Sequence, residues 1–180
     1  LKKRYLELES EMKKKDFPKD ERRRCRMKYI TFTVPSYNSE AYMERCIDSL
    51  LAGGSDVEIL VIDDGSTDGT GEIADRYAAA WPGIVKAVHK ENGGHGSGVN
   101  TGLEMAQGIY FKVVDSDDWI DQEAYRKILK KIKEFCGAGR IEFEEVPDLF
   151  VSNYVYDHLD EGRSRVMDYR NVFPDGKMCG

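Results

Sequence analysis

Four short runs of β-branched and apolar residues, each ending abruptly in polar ones, constrain this chain more than any other feature. They cover 29–34 (Tyr-Ile-Thr-Phe-Thr-Val), 57–62, 84–89 and 109–114. Runs of this length and composition read as strands. Helical patterns separate them. Over 39–51, Ala41, Met43, Cys46, Ile47, Leu50 and Leu51 recur at helical spacing, with Ser39 placed to N-cap and Gly53-Gly54 to stop. A second helix runs to about Ala80 behind Asp68 or Thr67, and a third follows Gly102 to about Ala106. Residues 121–135 form an amphipathic helix with Tyr125, Ile128, Leu129, Ile132 and Phe135 on one side. Further strands are expected at 148–156 and 164–169. Strands alternating with helices across short loops predict an α/β domain built on a mainly parallel sheet.

The polar ends carry the chemistry. Pro35-Ser36-Tyr37-Asn38 breaks the first strand, and Asp63-Asp64-Gly65-Ser66-Thr67-Asp68 ends the second. The strand at 109–114, read as buried and central, ends in Asp115-Ser116-Asp117-Asp118, three carboxylates within four residues. Such a group raises its own pKa values unless a cation sits among the oxygens. Mg²⁺ or Mn²⁺ is the natural partner for hard carboxylate ligands at a strand-to-loop turn. The plain alternative is a solvated acidic turn that caps the next helix. After the strand at 84–89 comes a glycine-rich stretch, 92–102. Glycine lets backbone approach a ligand closely, and a following helix N-terminus favours anions. The stretch lacks the third glycine of a dinucleotide fingerprint, and no phosphate-binding Gly-x-x-x-x-Gly-Lys-Ser/Thr run exists.

Charge narrows the partners. Residues 1–28 hold 12 Lys/Arg against 6 Asp/Glu, whereas the rest holds 15 against 27. An acidic body argues against nucleic acid but not against a nucleotide whose phosphates meet a metal ion. Residues 1–26 read as a charged extension, solvated in the plain reading and a peripheral anchor to an anionic membrane face in the alternative. The domain proper is expected over 27–180. The chain opens on Leu1 and stops at Gly180 without a terminating feature, as a piece truncated at the C-terminus would. No apolar run reaches the ~20 residues of a membrane helix. The four scattered cysteines read as reduced thiols of a cytoplasmic protein, with the inner membrane face as the alternative location.

Taken together and in order, Val34-Pro35-Ser36-Tyr37-Asn38, Val61 to Asp68, Asn92-Gly93-Gly94 with Asn100-Thr101-Gly102, and Asp115-Ser116-Asp117-Asp118 resemble the nucleotide-sugar half of family 2 glycosyltransferases. The resemblance covers about 28–135 and fades by 156. It implies the GT-A fold, a Rossmann-like three-layer sandwich. It also implies site residues. Pro35, Ser36 and Tyr37 would border base and ribose. Asp64, or else Asp63, would accept from a uracil N3–H. Asn92, Gly93, Gly94 and Asn100 would flank the nucleotide and sugar. Asp115, Asp117 and Asp118 would form the Asp-x-Asp site, with Asp115 and Asp117 on the donor, Asp117 facing ribose or metal, and Asp118 or Asp117 ligating the Mg²⁺ or Mn²⁺ that bridges the diphosphate. Many members carry Arg where this chain has Val99, which leaves donor identity open. His95 reads as a surface residue.

The implied reaction is metal-assisted transfer of a sugar from a UDP-sugar or similar donor to a hydroxyl of a glycan or lipid-linked acceptor. It would proceed with inversion, in polysaccharide or glycoconjugate synthesis. The general base is expected outside this chain, with Asp157, His158 and Asp160 as weak local candidates. The competing readings are a truncated or degenerate nucleotide-sugar-binding module without catalysis, and a nucleotidyltransferase. The latter lacks the basic glycine-rich loop it would need near the first strand.

Overall fold

The computed structural model describes residues 28–136, 147–158 and 163–168. Residues 1–26, Asp160, Cys25 and Cys179 lie outside them. Residues up to Lys133 form one unit and those from Glu134 another.

In the first unit β1 (Ile30–Ser36), β2 (Val57–Asp63), β3 (Val85–His89) and β4 (Tyr110–Val113) form a parallel sheet in the order β3-β2-β1-β4. The connecting helices are α1 (Met43–Leu51), α2 (Thr70–Ala80) and α3 (His95–Met105); α4 (Gln122–Cys136) follows β4. Every residue of β1 and β2 is buried, because helices cover both sheet faces. Phe32 packs edge-on against Tyr125 of α4, ring centroids 5.5 Å apart. On the opposite face α3 lies so close to β1 that a Cβ at Gly102 would sit 2.1 Å from Thr33 Oγ1. Helix, sheet, helix is the expected three-layer arrangement. α1 buries Met43, Cys46, Ile47 and Leu50, the i, i+3, i+4, i+7 stripe of an amphipathic helix.

Several boundaries differ from expectation, each for a local reason. Proline does not end β1, which runs on through Pro35 to Ser36. Thr33 O accepts Val114 N–H and Ser36 O accepts Asp64 N–H, so alternate residues face β4 and β2. The N–H that Pro35 lacks would therefore point towards β4, which has already ended at Val113 opposite Thr33. Among the described residues β4 is an edge strand and not the central one: it pairs with β1 alone, and Tyr110, Phe111 and Val113 are only half-buried. Ser39 does not cap α1. A turn at 40–42 precedes that helix, and Ser39 is spent elsewhere. The glycine-rich stretch is a loop only as far as Gly94, since α3 starts at His95.

In the second unit, β5 (Tyr154–His158) and β6 (Arg163–Met167) pair antiparallel, with Tyr156 opposite Arg165. They form a two-stranded sheet of their own, and they begin and end where the pairing does rather than at 148–156 and 164–169. Four residues separate them, enough for a hairpin and far too few for a parallel crossover.

Candidate functional site

Because β1, β2, β3 and β4 are parallel, all four carboxyl ends reach one rim. β4 stops opposite Thr33 while β1 and β2 continue by three residues, to Ser36 and Asp63. Past β4 the chain stays against β1, with Val114 N–H on Thr33 O and buried Ser116 on Ser39, so the acidic turn sits beside the end of β1. Ligands of open α/β sheets bind at such a rim.

Asp64 organises the near side. Its carboxylate is buried and accepts the N–H of Gly93 at 3.0 Å on Oδ1, the N–H of Gly94 at 2.7 Å on Oδ2, and the ammonium of Lys90. Burial alone would raise its pKa. The Lys90 ammonium and the two amides outweigh that and hold the carboxyl below the usual carboxylate range. The backbone at 93–94 is thus folded over Asp64, and Gly94 takes a left-handed φ of 81° that glycine adopts without strain.

Asp63 is engaged differently. Oδ1 accepts the Ser66 N–H at 3.0 Å, and Oδ2 lies 2.9 Å from His89 Nδ1. His89 Nε2 is in turn 3.0 Å from Asp75. Against the cost of burial, the Ser66 and His89 hydrogen bonds keep the Asp63 carboxyl low, and hydrogen bonds to Asp63 and Asp75 raise the imidazole.

The loops after β1 and β2 are tied to each other. Asn38 Oδ1 accepts Thr67 N–H, Asp68 Oδ2 accepts Glu40 N–H, Thr70 Oγ1 accepts Ser39 N–H, and Asp68 Oδ1 accepts Thr70 N–H ahead of α2. Asn38, Thr67 and Asp68 therefore serve turn and helix start. Pro35 and Ser36 are both buried: Pro35 lies beneath α3, its Cβ 3.2 Å from where a Gly98 Cβ would be, and Ser36, on the alternate sheet face, turns its hydroxyl to Val34 O. Tyr37 and Asn38 are the exposed members of that motif.

The acidic turn closes the far side. Asp118 N–H donates to Asp115 O at 2.9 Å, and buried Ser116 Oγ meets Ser39 Oγ at 2.8 Å. Ser39 thus joins the first loop, the second loop and the acidic turn. The Asp115, Asp117 and Asp118 side chains are exposed. Asp118 loses some hydration, and this, with the charges of Asp117 and Asp115, raises its carboxyl. Beneath them Cys46 is pushed up to about 12, first by burial and then by the same carboxylates.

The near and far sides meet. His95 Nε2, one residue past Gly94, lies 2.8 Å from Asp115 Oδ1. Gly93, Gly94, Asp64 and Asp115 accordingly share one rim. Asn100 does not join them. It lies two positions past Gly98, about 200° around α3 from the face that touches β1, and is exposed. Asn92 is exposed, its backbone N beside Gly65. Asp157 lies on β5 in the second unit. Lys90 and His89 carried no sequence signal, and Ser39 and Ser116 none for their contact with each other, because each acquires its role from a partner more than 25 residues away.

The donor chemistry fits a hard divalent ion. Among the described residues no three His, Cys, Asp or Glu side chains converge as a metal cage. The turn offers adjacent carboxylates, one with a raised pKa that a cation would relieve. Mg²⁺ and Mn²⁺ are commonly held by one or two carboxylates, with phosphate and water supplying the rest. Among the described residues no helix is long and apolar enough to cross a membrane.

Comparison with known proteins agrees. The glycosyl transferase family 2 model matches residues 31–173. The chain is 33% identical over 110 residues to chondroitin synthase of Escherichia coli, covering 61% of this chain and 16% of that protein. It resembles S. aureus TarS 1–349 in complex with UDP-GlcNAc at 34% identity and a TM-score of 0.52, over 61% of this chain and 32% of the other. It resembles mannosyltransferase PcManGT from Pyrobaculum calidifontis, solved with GDP-Man and Mn²⁺, at 26% identity and a TM-score of 0.51, over 59% and 33%. The chain spans less than half the length of the curated relatives it matches. Parallel sheet, rim and matched residues together make this chain a member of glycosyl transferase family 2, with the GT-A fold.

Proposed function

We propose that the rim binds a nucleotide-sugar, with a UDP-sugar as first choice, and that the sugar passes to a hydroxyl of a glycan or lipid-linked acceptor in polysaccharide or glycoconjugate synthesis. The observation that carries this is the 2.8 Å approach of His95 to Asp115, which brings the glycine turn and the carboxylates to one place. TarS with UDP-GlcNAc supports uridine, while GDP-Man on the more distant PcManGT makes guanosine the alternative base.

Residue roles follow from position. Tyr37, exposed at the end of β1, borders the base. Asp64, buried and engaged by Lys90, Gly93 and Gly94, holds the 93–94 backbone against the nucleotide; as acceptor of a uracil N3–H it would share an oxygen with one of them. Asp115 and Asp117 face ribose or diphosphate, and Asp117 and Asp118 would hold Mg²⁺ or Mn²⁺. When bound, the ion supplies charge compensation to the departing diphosphate. Inversion follows if the acceptor oxygen attacks the anomeric carbon opposite the leaving group. Its proton then passes to a carboxylate base, which no described residue is assigned to supply.

A thermal-shift panel of UDP-, GDP- and other nucleotide sugars, each with and without Mn²⁺, tests base, sugar and metal together. A rise in midpoint restricted to one base family and dependent on Mn²⁺ is expected. No rise with any donor overturns the reading. Binding without hydrolysis or transfer supports a binding module instead.

A further inference from the structure

We infer that His95 is a positioning residue of the donor site, holding the Asp115 carboxylate so that the first turn of α3 and the acidic turn act as one surface; this rests on the nucleotide-sugar reading above. Two turns that enter the rim from different strands must keep a fixed spacing if one ligand is to touch both. The glycine turn is held at its root, where Asp64 accepts the Gly93 and Gly94 amides. The acidic turn is held at its root by Ser116 on Ser39. Beyond those roots, Gly94 and Gly96 leave the start of α3 bare, since a Cβ at either position would meet nothing within 4 Å. His95 is the side chain between them, and its Nε2 reaches Asp115 Oδ1 at 2.8 Å across 20 residues.

This contact is poorly explained as a stability device. The side chains are 62% and 54% exposed, and exposed pairs contribute roughly 0–1 kcal/mol. What the hydrogen bond does fix is direction. With Oδ1 tied to His95, Oδ2 of Asp115 is left for a ribose hydroxyl or another ligand donor. Without the tie the carboxylate samples several rotamers, and that entropy must be lost on binding.

The test uses the full chain and four variants: His95→Ala, His95→Gln, Asp115→Asn and the double variant H95A/D115N. Calorimetric titration with UDP and Mn²⁺ should show H95A binding about three- to tenfold more weakly than the unaltered protein, the size of one hydrogen bond. H95Q keeps an N–H donor at similar reach and should recover most of the affinity. The double variant should bind no worse than the weaker single one. Affinity unchanged in H95A, no recovery in H95Q, or additive losses would each overturn the inference. So would a lowered thermal midpoint in H95A that accounts for its loss. Independently of any ligand, D115N should move the His95 side-chain ¹⁵N resonances, and unmoved resonances overturn the contact itself. Failure of the unaltered protein to bind UDP defeats the donor reading and this role with it. The resonance measurement then still shows whether the pair forms.

Discussion

The Gly94 N–H donates to Asp64 Oδ2 at 2.7 Å, joining residues 30 apart in sequence at the ends of two neighbouring strands. The same carboxylate takes the Gly93 N–H and the Lys90 ammonium. One buried acid thereby shapes the turn from which α3 and His95 start.

Asp64→Asn should therefore cost stability as well as ligand binding. The amide replaces an acceptor oxygen with an N–H₂ that faces either the Lys90 ammonium or a backbone N–H. A buried hydrogen bond lost with its partner left unsatisfied costs about 1–3 kcal/mol. Urea unfolding should show a midpoint reduced accordingly, with UDP affinity lost in parallel. An unchanged midpoint would refute the clasp.

Gly102→Ala should destabilise more than Gly98→Ala. The new methyl at 102 would lie 2.1 Å from Thr33 Oγ1, while at 98 it would lie 3.2 Å from Pro35 Cβ. Forced overpacking typically costs about 1–3 kcal/mol. Thr33 Oγ1 is also buried without a hydrogen-bond partner among the described residues. Thr33→Val, nearly isosteric, is accordingly expected to be neutral or up to about 1 kcal/mol stabilising. Thermal melts of the three variants order them directly.

Stability should fall with rising pH through the His89 transition. Hydrogen bonds to Asp63 and then Asp75 raise the His89 pKa in the folded protein. A raised folded value means the contribution is complete below the ordinary histidine value of about 6.5 and disappears as pH climbs through the folded one. Asp63 behaves oppositely. Its lowered pKa contributes above the ordinary carboxylate range and fails on acidification. Thermal midpoints from pH 5 to 9 should decline more steeply in the unaltered protein than in His89→Gln. Parallel curves would exclude the His89 bridge.

Asp117→Asn should abolish Mn²⁺-dependent UDP binding while leaving the thermal midpoint of the ligand-free protein unchanged, because Asp117 is exposed and Asp118 still closes the turn on Asp115 O. Removing one carboxylate also lowers the repulsion that raises Asp118. Calorimetry with and without EDTA measures the effect. Equal UDP affinity in the two proteins would remove Asp117 from the metal site.

Much of the architecture follows from local pattern. Apolar runs such as 29–34 and 57–62, set between amphipathic segments such as Met43–Leu51, have few foldings besides a parallel sheet with helices on both faces, because these two runs must bury two sides. Parallel strands in turn place Asp63, Asp64 and Asp115 at one rim whatever the details, which is why the acidic ends could be read as a site from the chain alone. Tertiary structure decided who holds whom. Pro35 continues β1 because β4 is short, Asp64 is spent largely on Lys90, Gly93 and Gly94, Asn100 faces away, and His95 reaches Asp115. These are pairings across 20 or more residues. Hydrogen bonds of that kind depend on the spacing of elements to within an ångström, and residue order carries periodicity and propensity but not that distance.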